Sequence, residues 1–231
     1  MPGNVAENLA QVKDRIAEAA RRSGRNGDSV TLIAVTKTQP VLRVREAFDA
    51  GQRVFGENYV QEALPKIADL SPEARWHLIG HLQSNKARTA VGAFACIQSL
   101  DSAKLAQVLE RRAAEAGRPM DSLAQVNWSR ETTKSGLPDS DALRRLVEEL
   151  AGYRWLKLRG LMTIPDPESG EAELRRCFAE MRRLREILGK EFGLEASLTE
   201  LSMGMSHDFE WAIEEGATMV RVGTAIFGAR T

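Results

Sequence analysis

The chain has little of what marks several large protein classes. Its 231 residues include only two cysteines, Cys96 and Cys177, in no motif spacing. That leaves room for one disulfide at most, and a reduced protein with two small core residues is expected. An excess of charge of either sign is also missing, since 32 basic residues balance 32 acidic ones. A neutral chain has no electrostatic footprint for nucleic acid or an anionic membrane, so neither partner is expected. No stretch approaches the roughly 18–20 apolar residues that span a bilayer. Met1 to Leu9 hold no basic region leading into an apolar run, so no secretory signal is predicted. Low-complexity tracts, charged blocks and linkers are missing as well. The expectation is a soluble, cytoplasmic protein, long enough to bury a sizeable core.

What is present is one alternation of short apolar runs and longer amphipathic runs. Val5, Leu9, Val12 and Ile16 recur at helical spacing and predict a helix over 4–22. Ser23 to Ser29 is a polar break containing glycine. Residues 30–35 are apolar and β-branched, and read as a buried strand ending at Thr36 and Lys37. Further strands are predicted at 53–56, 76–79, 94–98, 122–126, 158–162, 198–202 and 219–222. Helices are predicted between them, including 40–50, 57–70 despite Pro65, 102–116, and a short one ending at Glu215 before Gly216. Eight strands, each followed by a helix, predict a parallel sheet with helices outside, and eight is the number that closes a barrel. The expected fold is α/β, a (β/α)₈ TIM barrel with an additional N-terminal helix, forming a single domain over 1–231. The rival, an open doubly wound sheet, calls for a glycine phosphate turn after strand one, and Thr36-Lys37-Thr38 has none. Only Gly223 to Thr231 follow the eighth strand, too few for a full closing helix, so the N-terminal helix is expected to cover that gap.

In such a barrel the C-terminal ends of the strands share one mouth, where function collects. The ends read Lys37, Asn58, His81, Ser99, Asn127, Met162, Ser202 and the run Arg221-Val222-Gly223-Thr224. Lys37 closes an apolar strand, and burial disfavours the ammonium form. A free lysine titrates near ~10.4 and is a poor nucleophile at neutral pH; a desolvated one suits Schiff-base chemistry with a carbonyl. The plain alternative is a snorkelling lysine at a strand end. Gly223 lets backbone N–H groups approach a phosphate and Thr224 adds a hydroxyl. The loop Leu201-Ser202-Met203-Gly204-Met205-Ser206 has the same character. Each loop alone also fits ordinary turn chemistry, with Ser206 as a helix N-cap. Arg221 points, by alternation, into the mouth, as a permanent cation facing a ring nitrogen or as a paired structural arginine. Asn58 and Asp101 both fit helix N-caps. His77 and His81 stand on a strand and its exit loop, not on one helix face as a zinc pair would, and no metal is expected.

Several segments are long and in order. They are Ala34-Val35-Thr36-Lys37, Phe55-Gly56-Glu57-Asn58-Tyr59-Val60-Gln61-Glu62, Trp76-His77-Leu78-Ile79-Gly80-His81-Leu82-Gln83-Ser84-Asn85-Lys86, Gly160-Leu161-Met162-Thr163-Ile164, the Leu201 to Ser206 loop, and Val220-Arg221-Val222-Gly223-Thr224-Ala225-Ile226-Phe227-Gly228. With them the chain resembles, from about residue 4 to residue 230, the pyridoxal phosphate homeostasis protein family, also called proline synthetase co-transcribed proteins. The resemblance implies a fold like the N-terminal barrel of alanine racemase, with pyridoxal 5′-phosphate (PLP) as cofactor and Lys37 as its aldimine lysine. It implies Ser202, Ser206, Gly223 and Thr224 near the phosphate, leaving open which serine touches it. It implies Arg221 at the pyridine nitrogen, and Asn58 and Met162 lining the ring. One departure is Trp128-Ser129, where the family commonly has Ile-Gly or Val-Asn. The bulky Trp128 bears on the shape of the mouth beside strand five, not on the cofactor.

The chemistry of these residues suits a holder more than a catalyst. Arginine keeps its proton, so Arg221 cannot protonate the pyridine, and an unprotonated ring is a weaker electron sink. That disfavours transamination. Racemisation needs acid–base groups on both faces of the substrate carbon; alanine racemase uses its lysine and a tyrosine from a second, β-rich domain. No such domain is expected in 1–231, and the only tyrosines are Tyr59 and Tyr153. The first expectation is therefore a non-catalytic carrier that binds PLP through Lys37 and passes it to PLP-dependent apoenzymes. A second is an amino-acid racemase or decarboxylase of low activity, which deuterium wash-in would support. A third is a Schiff-base aldolase on a sugar phosphate, which a yellow purified protein excludes as the resting state.

Overall fold

The computed structural model describes residues 4–128, 135–166 and 168–228. Its strands are β1 Thr31–Val35, β2 Val54–Glu57, β3 Arg75–Leu78, β4 Cys96–Leu100, β5 Met120–Val126, β6 Leu156–Thr163, β7 Glu200–Ser202 and β8 Met219–Val222. The helices are α1 Val5–Arg22, α2 Val41–Asp49, α3 Val60–Asp69, α4 Ala87–Ala93, α5 Ala103–Glu115, α6 Ser140–Ala151, α7 Glu171–Phe192, α8 Phe209–Glu214 and α9 Thr224–Phe227. The strands pair in chain order, all parallel, and β8 returns to β1 with Thr31 opposite Met219 and Ala34 opposite Val222. The sheet is thus a closed barrel of the TIM type.

The strands are buried, and mostly apolar, on both faces because both faces are covered, with a few polar side chains such as His77, Gln98, Ser202 and Arg221 inside the barrel. On β1, Leu32 and Ala34 join the outer layer between barrel and helices, while Ile33 and Val35 turn inward. Inside, Cys96, Leu123 and Met162 form a separate cluster with Met219 against it. Cys96 and Cys177 are both buried and unbonded. No helix among the described residues is long and apolar enough to cross a membrane.

Helix α1 starts at Asn4, whose side chain accepts from the Ala6 N–H, and buries Val5, Leu9, Val12 and Ile16. That stripe packs against α8, α9 and α2. Since α9 is a single turn, α1 supplies the cover that a full eighth helix would give, as the sequence predicts.

Two boundaries differ from the sequence reading in ways that matter. Glu57, expected to open a helix over 57–70, is the last residue of β2, opposite Leu78, and is fully buried. A charge there is satisfied by Lys66 on α3, the helix that follows β2. The fourth strand lies two residues later than 94–98, so Ser99 sits inside it and donates to the Gly80 carbonyl at 2.7 Å.

Candidate functional site

The C-terminal ends of the strands enclose a cavity of about 560 Å³. Lys37, Asn58, Ser206, Arg221, Gly223 and Thr224, from four different strand ends, all line it. Lys37 is half-buried and follows Val35 and Ile33 on the inward face of β1. Its turn is fixed by Thr36, whose N–H donates to the Gly56 carbonyl at 3.0 Å and whose carbonyl accepts from the Gln39 N–H at 3.0 Å. Thr38 in that turn has φ 64°, the only positive φ outside glycine among the described residues. A β-branched residue there costs on the order of 1–3 kcal/mol, and such strain persists where the surroundings over-determine the backbone.

Arg221 reaches the cavity from inside the barrel and is 4 % exposed. Its guanidinium donates to Ser202 Oγ at 2.6 Å and to the Thr163 carbonyl at 2.7 Å. Burial pushes it down to about 10, opposed by the charge of Asp208, so it remains a cation at neutral pH. Ser202 Oγ in turn donates to Gln98 Oε1 at 2.7 Å, and Gln98 Nε2 donates to His77 Nδ1 at 2.9 Å. This chain of bonds crosses the barrel floor and holds Arg221 in one orientation. Ser202 therefore lies beneath the cavity, occupied with Arg221 and Gln98, and Met162 lies beneath it in the inner apolar cluster. Ser206, by contrast, is on the cavity wall, with its Oγ accepting from the Ala225 N–H at 3.5 Å. That contact joins the loop after β7 to the loop after β8.

Other residues expected here have other roles. The N-cap of α5 is Ser102, which accepts from the Leu105 N–H at 3.3 Å, while Asp101 pairs with His81 on the cavity rim at 3.2 Å. The N-cap of α3 is Tyr59, not Asn58; a Cβ on Gly80 would lie 2.4 Å from the Asn58 carbonyl oxygen, so only glycine lets these two exit loops meet. Trp128 packs, partly buried, against the outer core, and Ser129 lies outside the described residues.

Sequence reasoning missed Asp208, Gln98, Glu57 and Lys66. Asp208 is 4 % exposed, and its Oδ1 accepts from the Met205 N–H at 2.5 Å, shaping the loop that carries Ser206. Burial raises its carboxyl from the ordinary value. Lys66 had one legible signal, since it stands three residues after Ala63 and six after Val60 on the buried face of α3.

His77 sets a pH limit on the fold. Burial, with Arg75 nearby, lowers it from 6.5 to about 4, and its Nδ1 must stay unprotonated to accept from Gln98. The folded chain thus binds fewer protons than the unfolded one between these values. The stability is fully present above about pH 6.5 and is lost as pH falls toward 4, by about 3 kcal/mol at most. The melting temperature is expected to drop by roughly 6–10 °C between about pH 7 and pH 4.5, and less in His77→Gln. Equal drops in both proteins would remove His77 as the cause.

The alanine racemase N-terminal domain model matches residues 8–231. The pyridoxal phosphate homeostasis protein of Pseudomonas aeruginosa is 48 % identical over 229 residues, covering 98 % of this chain and 96 % of that protein. Its Escherichia coli K12 counterpart is 45 % identical over 234 residues, covering 98 % and 97 %. Among solved structures, PipY of Synechococcus elongatus with PLP bound superposes with a TM-score of 0.86 at 43 % identity, covering 97 % of this chain and all of that one, 100 %.

Proposed function

This chain belongs to the pyridoxal phosphate homeostasis protein family, and from that premise we propose that it is a PLP carrier with Lys37 as the covalent anchor. The observation that carries the reading is one cavity lined by a lysine, a buried arginine and two hydroxyl-bearing loops. These residues fit the cofactor's three ends: an amine for the aldehyde, a fixed cation for the ring nitrogen, and hydroxyls with a glycine backbone for the phosphate. Ser206, Gly223 and Thr224 would hold the phosphate. A Cβ on Gly223 would press within 3.2 Å of the Val35 carbonyl, so glycine keeps the end of β8 against β1. Ser202 acts through Arg221, and Met162 supports the floor. Asn58 would stand beside the ring. When bound, the cofactor supplies an aldehyde that condenses with a primary amine.

The remaining groups favour holding over turnover. Arg221 donates but has no proton to surrender at neutral pH, so the ring stays a poor electron sink. Tyr153 donates to Glu149 outside the barrel, and Tyr59 is 60 % exposed. Neither tyrosine lines the cavity. The carrier works in the cytoplasm, shields the aldehyde from free amines and delivers it to PLP-dependent apoenzymes. Slow racemisation is the second reading, favoured by the His81–Asp101 pair on the rim, and α-deuterium wash-in into amino acids would detect it.

The test is the near-visible absorption spectrum of the purified protein, followed by borohydride reduction and peptide mapping. A yellow protein with its reduced adduct on Lys37 is expected. A colourless protein that takes up no added PLP overturns the reading.

A further inference from the structure

We infer that the buried Glu57–Lys66 pair is a positioning device for Lys37, fixing the turn that aims its amine into the barrel mouth. Lys66 Nζ donates to Glu57 Oε1 at 2.6 Å and to the Thr36 carbonyl at 2.7 Å. Thr36 Oγ1 donates to the same Glu57 oxygen at 2.5 Å. Thr36 and Glu57 are 0 % exposed and Lys66 is 6 % exposed. Thr36 and Glu57 face outward from the ends of β1 and β2, and Lys66 meets them from the buried face of α3. They grip the peptide unit that joins Thr36 to Lys37, from the side opposite the cavity.

Stability alone does not account for the pair. Burying two charges is costly, and an apolar pair of similar volume is often as stable. Here the cost is raised further, because Glu57 Oε2 is buried with no hydrogen-bond partner. What an apolar pair would not reproduce is the donation to the Thr36 carbonyl. That oxygen already accepts from the Gln39 N–H, so two donors fix its direction and with it the plane of the peptide leading into Lys37. The turn includes Thr38 at φ 64°, a conformation that must be imposed on a threonine by its surroundings. Glu57 holds the lysine and the threonine hydroxyl together, and Lys66 holds the main chain. Neither touches the cavity, so both act only through the placement of Lys37.

The role of Lys37 as anchor rests on the proposed function, but its placement is testable without any cofactor. Trace acetylation of the ligand-free protein, read by peptide mass spectrometry, compares Lys37 with the exposed lysines Lys104 and Lys190. In Glu57→Gln/Lys66→Met, which removes both charges together, Lys37 labelling should change at least about fivefold, with Lys104 and Lys190 unchanged. Covalent uptake of PLP should slow at least about tenfold. Affinity for 4′-deoxypyridoxine 5′-phosphate, which lacks the aldehyde, should stay within about twofold of wild type, a pattern that general loosening of the barrel would not give. Lys66→Arg keeps a cation against Glu57 but not the single-atom donation to both acceptors, and should show the same signs at smaller size. Wild-type labelling of Lys37 in either folded variant overturns the inference. Changed labelling alongside a wild type that never forms an adduct would leave the clamp standing and remove the carrier reading instead.

Discussion

Lys37→Ala is expected to abolish covalent uptake of PLP and to leave a weaker, reversible association with the same cavity. The substitution removes the amine but none of the other groups lining the cavity. Arg221 stays fixed by Ser202 and Thr163, and Ser206, Gly223 and Thr224 stay on their loops. Lys37 is half-buried in a turn, so truncating it should cost the fold less than about 1 kcal/mol. Affinity should fall on the order of 100-fold, about 2.8 kcal/mol, as the covalent part of the hold is lost. The measurement is equilibrium dialysis of PLP beside the absorption spectrum and borohydride trapping. A reduced adduct in full yield in Lys37→Ala would show that another amine is the anchor. Loss of all binding, reversible as well as covalent, would show that the loops after β7 and β8 do not hold the phosphate. The two failures point to different parts of the site.

The fold was legible because a closed parallel barrel writes itself as a repeated pattern. The strands are short runs that are mostly apolar and the longer helices carry an apolar stripe, so the alternation of the two periods locates them. The cover by α1 was legible too, from the four apolar residues at helical spacing and the short tail after β8. The wall of the site was partly legible, because strand ends can be counted and Lys37, Arg221, Gly223 and Thr224 all fall on them. What lay beyond reach was the pairing of side chains carried on different elements. Glu57 looks like a solvated helix start until Lys66 is seen beside it at 2.6 Å. Ser202 reads as a hydroxyl facing the mouth until its one proton is seen to go to Gln98 and its oxygen to accept from Arg221. Asp101 looks like a helix cap until His81 is found beside it. Local propensity carries no information about such pairings, and sites are where they concentrate.

Deleting residues 1–22 should unfold the barrel rather than trim it. Val5, Leu9, Val12 and Ile16 are at most 4 % exposed, and burying each such side chain is worth about 1.5–3 kcal/mol. Their combined loss is comparable with the whole stability of a typical domain, about 5–15 kcal/mol. The deletion also leaves Phe209, Ile213 and Ile226, buried on α8 and α9, without the helix that packs over them. Insoluble or molten protein is therefore expected, read by circular dichroism and thermal melting; a soluble deletion variant with the wild-type melting temperature would sink the claim that α1 closes the fold. Leu9→Ala gives the same question a measurable scale, at about 2–5 kcal/mol for one buried leucine. By contrast Arg15→Ala, which breaks a partly exposed ion pair to Glu210 and lifts a guanidinium from the Phe209 ring, should cost about 1–2 kcal/mol. The position of the helix also ties it to the site. Asn8 Nδ2 donates to the Ile226 carbonyl at 2.9 Å, in the single turn that begins at Thr224 after Gly223. In Leu9→Ala, amide exchange should rise first in α9 and the loop leading into it, so the end of the cavity at Gly223 and Thr224 would loosen before the end at Lys37.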